Sequence, residues 1–535
     1  MEKLLLLGDE AIAQGAIDAG LSGIYAYPGT PSTEITEYVQ RSKLAKERGI
    51  HSDWSANEKT AMETALGMSY TGKRAMVCMK HVGLNVASDP FINSAITGAN
   101  GGLIVVVADD PSMHSSQNEQ DSRFYGKFAL IPIFEPSNQQ EAYDMTYEGF
   151  EFSEKYEIPI MIRLTTRLAH SRAGVKQSAL KDQNKISLPK DMRQFVLLPS
   201  IARERYKILL NNQANFEKES EQSVYNKYVE GKDKSMGIIA CGIAYNYLME
   251  NYTDDECPFS ILKISQYPLP INLIKKISSE CKKILVLEDG YPLVEDTING
   301  ILDKDLIVLG RINGAIPRDG ELNPNIVAEA IGKPIKKGKD VPGLVVGRPP
   351  SLCSGCPHID SFDALNEALK EYSKGGVFSD IGCYTLSALP PYESINSCVD
   401  MGASVTMAKG AADAGLKPSV AVVGDSTFTH SGMTGLLDAV NENSPITVFI
   451  LDNSITAMTG GQKSHATGRL ENICLGIGVK PEHLKILNPL KKHHEENVKI
   501  IKDELAYNGL SVIIPTRDCI EIIKKTKKTT KEIEK

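Results

Sequence analysis

No apolar run in this sequence approaches the ~20 residues that a membrane-spanning helix requires, so a membrane protein of the helical kind is not expected. A basic surplus is also missing. Lys and Arg number 59 against 67 Asp and Glu, a formal charge of −8, which leaves no sign of a nucleic-acid surface. The one concentrated basic run is the tail KKTKKTTKEIEK, read as a solvated, frayed end within 521–535. Nor is an export signal expected: MEKLLLLGDE has too short an apolar core, and acidic residues follow at once. The ten cysteines, scattered over 535 residues, are therefore not expected to form a disulfide framework. Thiols or metal ligands in a cytoplasmic protein are the better expectation.

What is present is a repeated α/β pattern. Residues 1–180 alternate helical stretches (EAIAQGAIDAG, NEKTAMETALGMSYTGK) with buried apolar runs (LSGIYAY, RAMVCMKH, GLIVVVADD). Apolar, β-branched runs separated by helices predict parallel strands in a doubly wound sheet. A polar connector with helical portions follows over 181–234, then a smaller α/β unit over 235–335 with strands in SMGIIACGIAY, FSILKISQYPL and KKILVLEDG. After the linker KKGKDVPGLVVGRPPS, a third α/β unit covers 350–520, its strands GGVFSDIGC, SVAVVGDS and ITVFILDNS each ending in polar residues. Ligands of open parallel sheets sit beyond the carboxyl ends of the strands, so those ends are the candidate site.

Two of them carry paired oxygen ligands. One strand ends in Gly424, Asp425 and Ser426; the next ends at Asp452, Asn453 and Ser454, with room for one helical crossover between. A carboxylate, an amide oxygen and the Ile455 carbonyl suit Mg2+ bound to a diphosphate. Upstream, MGASVTMAKGAADAG puts Gly402, Ala403 and Ser404 where a helix begins, and exposed amides there favour negative oxygens. The sequence SLCSGCPHID adds a Cys353–Cys356 pair, whose fates are half a zinc site, a redox dithiol or half the ligands of an iron–sulfur cluster.

Together these segments resemble a known family. Gly-Asp-Ser followed after a crossover by an Asn-type ligand resembles the thiamine-diphosphate fingerprint, and TAMTGGQKS looks like the segment that follows it in 2-oxoacid:ferredoxin oxidoreductases. YPGTPSTEI, NEKTAMETALGMSYTGKRAMVCMKHVGLNVASDP and VVADDPSMHSSQNEQDSRFYGK resemble the large subunit of indolepyruvate ferredoxin oxidoreductase, and the likeness runs over nearly the whole chain in the family's order.

The resemblance implies two thiamine-diphosphate-type domains, 1–180 for the aminopyrimidine and 350–520 for the diphosphate, with the 235–335 unit (similar to a transketolase C-terminal domain) between them. It implies that the coenzyme reacts at C2 as an ylid and that Glu58 is the carboxyl group set against the pyrimidine nitrogen. Thr30 is implied to hold the substrate's carboxylate or keto oxygen, in a turn with Tyr27 and Ser32; Lys80, His81 and Asn85 follow a strand and are read as lining the same cleft, with His81 equally open to a reading as a satisfied core residue. Cys383 and Cys519 are implied to join Cys353 and Cys356 around a 4Fe–4S cluster, though zinc has the same ligand count. Cys78, Cys241, Cys257, Cys281, Cys398 and Cys474 are expected to be buried or inert. The implied reaction is oxidative decarboxylation of a 2-oxoacid, such as an arylpyruvate, to an acyl-CoA, with coenzyme A as co-substrate. A small second subunit is expected, in a dimer of heterodimers. The family's large subunit normally continues into a ferredoxin-like module with dense CxxCxxC runs. This sequence contains no such run, so a ferredoxin, another carrier or a partner chain is expected to take the electrons. Two alternatives stay open: a non-oxidative thiamine-diphosphate decarboxylase, and a catalytically silent scaffold for an active partner.

Overall fold

A computed structural model describes residues 3–189, 191–253, 255–300, 306–335, 338–347, 351–372 and 375–524. The basic tail from 525 onward, and residues 336–337 and 348–350 of the expected second linker, lie outside the described residues. The chain divides into two compact units, 1–339 and 340–535.

The first unit is built on a seven-stranded sheet. Its order is Gln266–Tyr267, Ile133–Phe134, Ile160–Thr165, Leu103–Asp109, Ala75–Lys80, Gly23–Ala26 and His51–Trp54, parallel throughout except for the first pair. The central strands Ala75–Lys80 and Leu103–Asp109 are buried along their whole length, as their continuous apolar runs require. Each Val or Ile buried there contributes roughly 1.5–3 kcal/mol. The helices Gly8–Asp18, Glu58–Tyr70 and Gln139–Tyr156 lie against this sheet and shield it. The antiparallel pair Lys3–Leu7 and Arg172–Lys176 flanks the first of them.

The same unit contains a five-stranded sheet, ordered Ile307–Leu309, Lys283–Leu287, Asp233–Cys241, Phe259–Ile264 and Lys227–Val229. Within the polar connector, Pro199–Glu221 forms a 23-residue helix with Pro at its start, where a missing N–H costs nothing. Strand Gln266–Tyr267 leaves the smaller unit and completes the edge of the seven-stranded sheet.

The second unit holds a six-stranded, all-parallel sheet in the order Ser397–Cys398, Gly376–Ser379, Ser419–Gly424, Ile446–Leu451, Ser511–Pro515 and Leu484–Leu487. Strands Ser419–Gly424 and Ile446–Leu451 are adjacent, in a register that pairs Gly424 with Leu451. This places the polar residues that follow both strands at one edge. The fold class read from the sequence, α/β with doubly wound parallel sheets, is the one observed. No described helix is long and apolar enough to cross a membrane.

Candidate functional site

In the second unit, Asp425 begins a helical turn directly after its strand, and that turn passes through a π-type stretch, Phe428–Gly432, before the helix Met433–Glu442. The Asp425 carboxyl is 2% exposed, and its Oδ2 is buried without a hydrogen-bond partner. Burial pushes its pKa up to about 7, with the Asp452 charge adding to the effect against hydrogen bonds from Ser426, Ser464 and Ser454. No cationic side chain is among the groups that shift it, so the cost of burying this carboxyl is not offset by a fixed positive charge.

Asn453 stands at the next strand end, equally buried. The Ile455 N–H donates to its Oδ1 at 3.2 Å, and its Nδ2 lies 3.3 Å from Nε2 of His358. Burial lowers the His358 pKa to about 4, so the ring is neutral and accepts from the amide. These two contacts fix which end of the Asn453 amide carries oxygen. Ser426 Oγ and Thr456 Oγ1, 2.8 Å apart, close the gap between the two strand ends.

Gly402, at φ +90, leads into the helix Ala403–Asp413. Only a glycine takes that backbone conformation at no cost. The helix start is not bare: Asp380 Oδ2 accepts from Ser404 Oγ at 2.6 Å and from Ser404 N–H at 3.4 Å, and its other oxygen accepts from the Tyr384 hydroxyl. Burial drives the Asp380 pKa up to about 7 despite these donors. Asp380 and His358 were not among the sequence candidates. Asp380 carried a usable signal, a polar end to the apolar run GGVFS like those of the other two strands.

Cys353, Cys356, Cys383 and Cys519 line a single cavity of about 280 Å3, which also reaches His358, Asn453 and Ile455. Cys356 N–H donates to the Cys353 carbonyl in a tight turn just before the helix Pro357–Leu369. Cys519 is tied back by its N–H to the Asn453 carbonyl. Burial, with the neighbouring thiols of the set adding to it, raises Cys356 to about 11 and Cys383 to about 12. Among the described residues, no three of these sulfurs lie within 4.8 Å of one another. Of the other cysteines, Cys78, Cys241, Cys281 and Cys474 are buried and Cys257 is half-buried, while Cys398 departs from burial. It is exposed, because it sits on the two-residue edge strand of the sheet.

In the first unit, Glu58 opens its helix behind the Asn57 cap and is 5% exposed. Its carboxyl lies against Gly83 of the helix His81–Val86; a Cβ there would meet Glu58 Oε1 at 2.5 Å. His81 begins that helix and is buried, with Nε2 donating to the Asn118 carbonyl at 3.2 Å. Thr30 is half-buried and its carbonyl accepts from Ser115 Oγ at 3.5 Å, while Lys80 Nζ donates to the Ser115 carbonyl at 2.7 Å. Burial brings the Lys80 pKa down to about 8. Thr30, Lys80 and His81 thus gather on the loop after strand Leu103–Asp109, and Glu58 packs against Gly83, just beyond His81. Tyr27 and Ser32 are buried and Asn85 is exposed, its Oδ1 accepting from the Tyr125 hydroxyl at 2.7 Å.

Comparison with known proteins gives this arrangement its class. Residues 380–511 match the family model "Thiamine pyrophosphate enzyme, C-terminal TPP binding domain", and residues 14–230 match "Pyruvate flavodoxin/ferredoxin oxidoreductase, thiamine diP-bdg". The class is that of thiamine-diphosphate oxidoreductases. The chain is 40% identical to the indolepyruvate oxidoreductase subunit IorA of Archaeoglobus fulgidus, over 97% of this chain and 86% of that protein. It is 37% identical to the Pyrococcus horikoshii subunit over 97% and 86%, and 36% identical to that of Methanothermobacter thermautotrophicus over 97% and 87%. It belongs to the IorA family of indolepyruvate oxidoreductase subunits, oxidoreductases of the 2-oxoacid:ferredoxin type.

Proposed function

We propose that the chain is the large subunit of an enzyme that oxidatively decarboxylates an arylpyruvate such as indolepyruvate to its acyl-CoA. Electrons pass through a 4Fe–4S cluster to a ferredoxin or similar carrier, and a small second subunit completes a dimer of heterodimers. In this reading 1–180 is the pyrimidine-binding domain, 235–335 the small domain and 350–520 the diphosphate-binding domain.

The residues at the strand ends suit Mg2+ and a diphosphate. The unpartnered, buried Asp425 Oδ2 is the oxygen a hard cation takes, and Asn453 Oδ1 and the Ile455 carbonyl supply neutral oxygens. Gly424 and Ser426, with Gly402, Ala403 and Ser404, would receive the diphosphate. Asp380 already accepts from the Ser404 donors, so its proton uptake near pH 7 is what would keep a second negative charge tolerable there. When bound, thiamine diphosphate supplies the electron sink for decarboxylation. Glu58 holds a proton against the pyrimidine ring, Thr30 orients the 2-oxoacid, and His81, fixed by the Asn118 carbonyl, borders the substrate.

The observation that carries the oxidative reading is the common cavity of the four cysteines. Tetrahedral zinc at Zn–S distances of ~2.3 Å draws sulfurs to within about 3.8 Å of one another, closer than any three of these sulfurs lie. A cluster, with iron and sulfide between the thiolates, accommodates wider spacing. Its test is anaerobic purification, followed by iron and sulfide assay, visible absorbance, and arylpyruvate- and CoA-dependent reduction of a low-potential dye in the presence of the small subunit. Brown protein that reduces the dye is expected, with Cys519→Ser bleached and unable to reduce it while still binding the coenzyme. Colourless, iron-free wild-type protein would overturn the reading in favour of non-oxidative decarboxylation.

A further inference from the structure

A second cluster of ligand groups lies in the first unit, built from Asp9, Glu34 and His170. Asp9 is in the first turn of the helix Gly8–Asp18, Glu34 in the first turn of Thr33–Arg41, and His170 at the end of Thr166–His170. One carboxylate oxygen from each acid and one imidazole nitrogen lie within 4.8 Å of one another. Asp9 is fully buried, and neither of its oxygens has a hydrogen-bond partner. Glu34 Oε2 is likewise buried without a partner, while Oε1 stands 3.7 Å from His170 Nε2.

Such an arrangement is costly by itself. A buried carboxyl without a donor loses its hydration and regains nothing. His170 and Arg41 offset the charge of Glu34, but no cationic side chain does so for Asp9. Glu10 adds a further negative charge beside Asp9, its Oε2 already accepts the Leu7 N–H, and Arg172 reaches Glu10 at 3.9 Å. His170 is 37% exposed and Glu34 33% exposed at the side chain, so one side of the cluster opens to water.

We propose that Asp9, Glu34 and His170 bind one divalent transition-metal ion, with water completing its coordination from the open side. One imidazole and two carboxylates suit Zn2+, Co2+ or Mn2+ better than Mg2+ or Ca2+, which favour all-oxygen sets. The ion clamps together the starts of two helices and the end of a third, drawn from parts of the chain far apart in sequence. One of those helices continues directly from the Tyr27–Ser32 turn.

The test uses the full chain and CoCl2 as the probe, because cobalt reports in solution and in the crystal. Anomalous diffraction at the cobalt edge is expected to show a peak between the three side chains. By equilibrium dialysis, His170→Gln and Asp9→Asn should each bind one fewer Co2+ per chain than wild type and lose the corresponding cobalt-induced rise in Tm. The half-exposed His170 makes the first variant safe if Asp9→Asn fails to fold. Cobalt held by the four cysteines leaves the difference between variants unchanged, so the result is independent of the proposed function. Equal stoichiometry in wild type and His170→Gln, or no anomalous peak at the cluster, overturns the proposal.

Discussion

The two units bury negative charge in different ways. In the first, Asp109, Asp121, Glu135, Glu288 and Asp289 surround Arg123, Arg163 and Arg311, all of them fully or almost fully buried. Arg163 donates to Asp109 Oδ2 at 2.7 Å, to Glu135 Oε1 at 2.6 Å and to the Asp289 carbonyl at 2.7 Å. Arg123 donates to Asp121 and to the Tyr291 carbonyl, and stands 3.1 Å from Glu288. This network links the carboxyl ends of the seven-stranded sheet to those of the five-stranded one, so its charges hold the unit together. In the second unit, Asp380 and Asp425 face only hydroxyls, peptide N–H groups and, for Asp425, another carboxylate. Where arginine is built in, the charge is structural. Where only dipoles are built in, room is left for a diffusible cation.

The comparison would break first at Arg163. Arg163→Met strands Asp109 without its cation and leaves Glu135 only Arg123, at 3.6 Å, and is expected to cost about 3–5 kcal/mol of unfolding free energy. Asp425→Asn, by contrast, should leave the coenzyme-free protein at least as stable as wild type. Urea denaturation of both variants checks this; similar losses for the two would erase the distinction.

The pH response sharpens the contrast with a somewhat smaller effect. Asp380 and Asp425 have folded pKa values of about 7, above the ordinary carboxylate range. Their contribution is therefore fully present below about pH 4 and is lost as pH rises through 7, on the order of 2–4 kcal/mol. Asp121 behaves in the opposite sense: its arginine partners overcome burial and hold it down at about 2, so its contribution is lost only as pH falls through 2. Hydrogen exchange at pH 5 and pH 8 should show opening become easier around Gly376–Ser379 and Ser419–Gly424 at the higher pH. Asp380→Asn and Asp425→Asn should remove that response; if it persists in the double variant, the assignment is wrong.

The sequence made the long strands and their polar ends legible, because a run such as SVAVVGDS changes character within a single residue. His51–Trp54 and Ile133–Phe134 escaped notice, and Gln266–Tyr267 reads as the end of the strand FSILKISQYPL although it pairs in the other sheet. The first has no buried residue, and Ile133–Phe134 and Gln266–Tyr267 are two residues long, so nothing in the pattern sets them apart as strands of their own. The four cysteines could be named in advance, but their wide sulfur spacing belongs to the tertiary arrangement. His358 follows its CxxC pair as an unremarkable residue in a helix's first turn, and only packing around it makes it neutral and an acceptor for Asn453. Asp9 reads in sequence as an ordinary first-turn acid. The helices that bury it come from residues 33–41 and 166–170, which no local pattern connects to it.

The smallest expected effect concerns Gly83. Gly83→Ala pushes a methyl group into the Glu58 carboxyl and should cost about 1–3 kcal/mol. With Mg2+ and thiamine diphosphate present, it should also slow deuterium exchange at the coenzyme's C2 without preventing coenzyme binding. Unchanged exchange would mean that the Glu58 position does not matter for activation.

The central claim is that the strand-end carboxylate of the second unit is a cation ligand, unlike the arginine-paired acids of the first. Calorimetric titration of thiamine diphosphate at saturating Mg2+ into wild type and Asp425→Asn tests it most directly. The account predicts Mg2+-dependent binding to wild type and at least about a hundredfold weaker binding to the variant, roughly 2.7 kcal/mol at 25 °C. Equal affinity in a folded Asp425→Asn protein would contradict it.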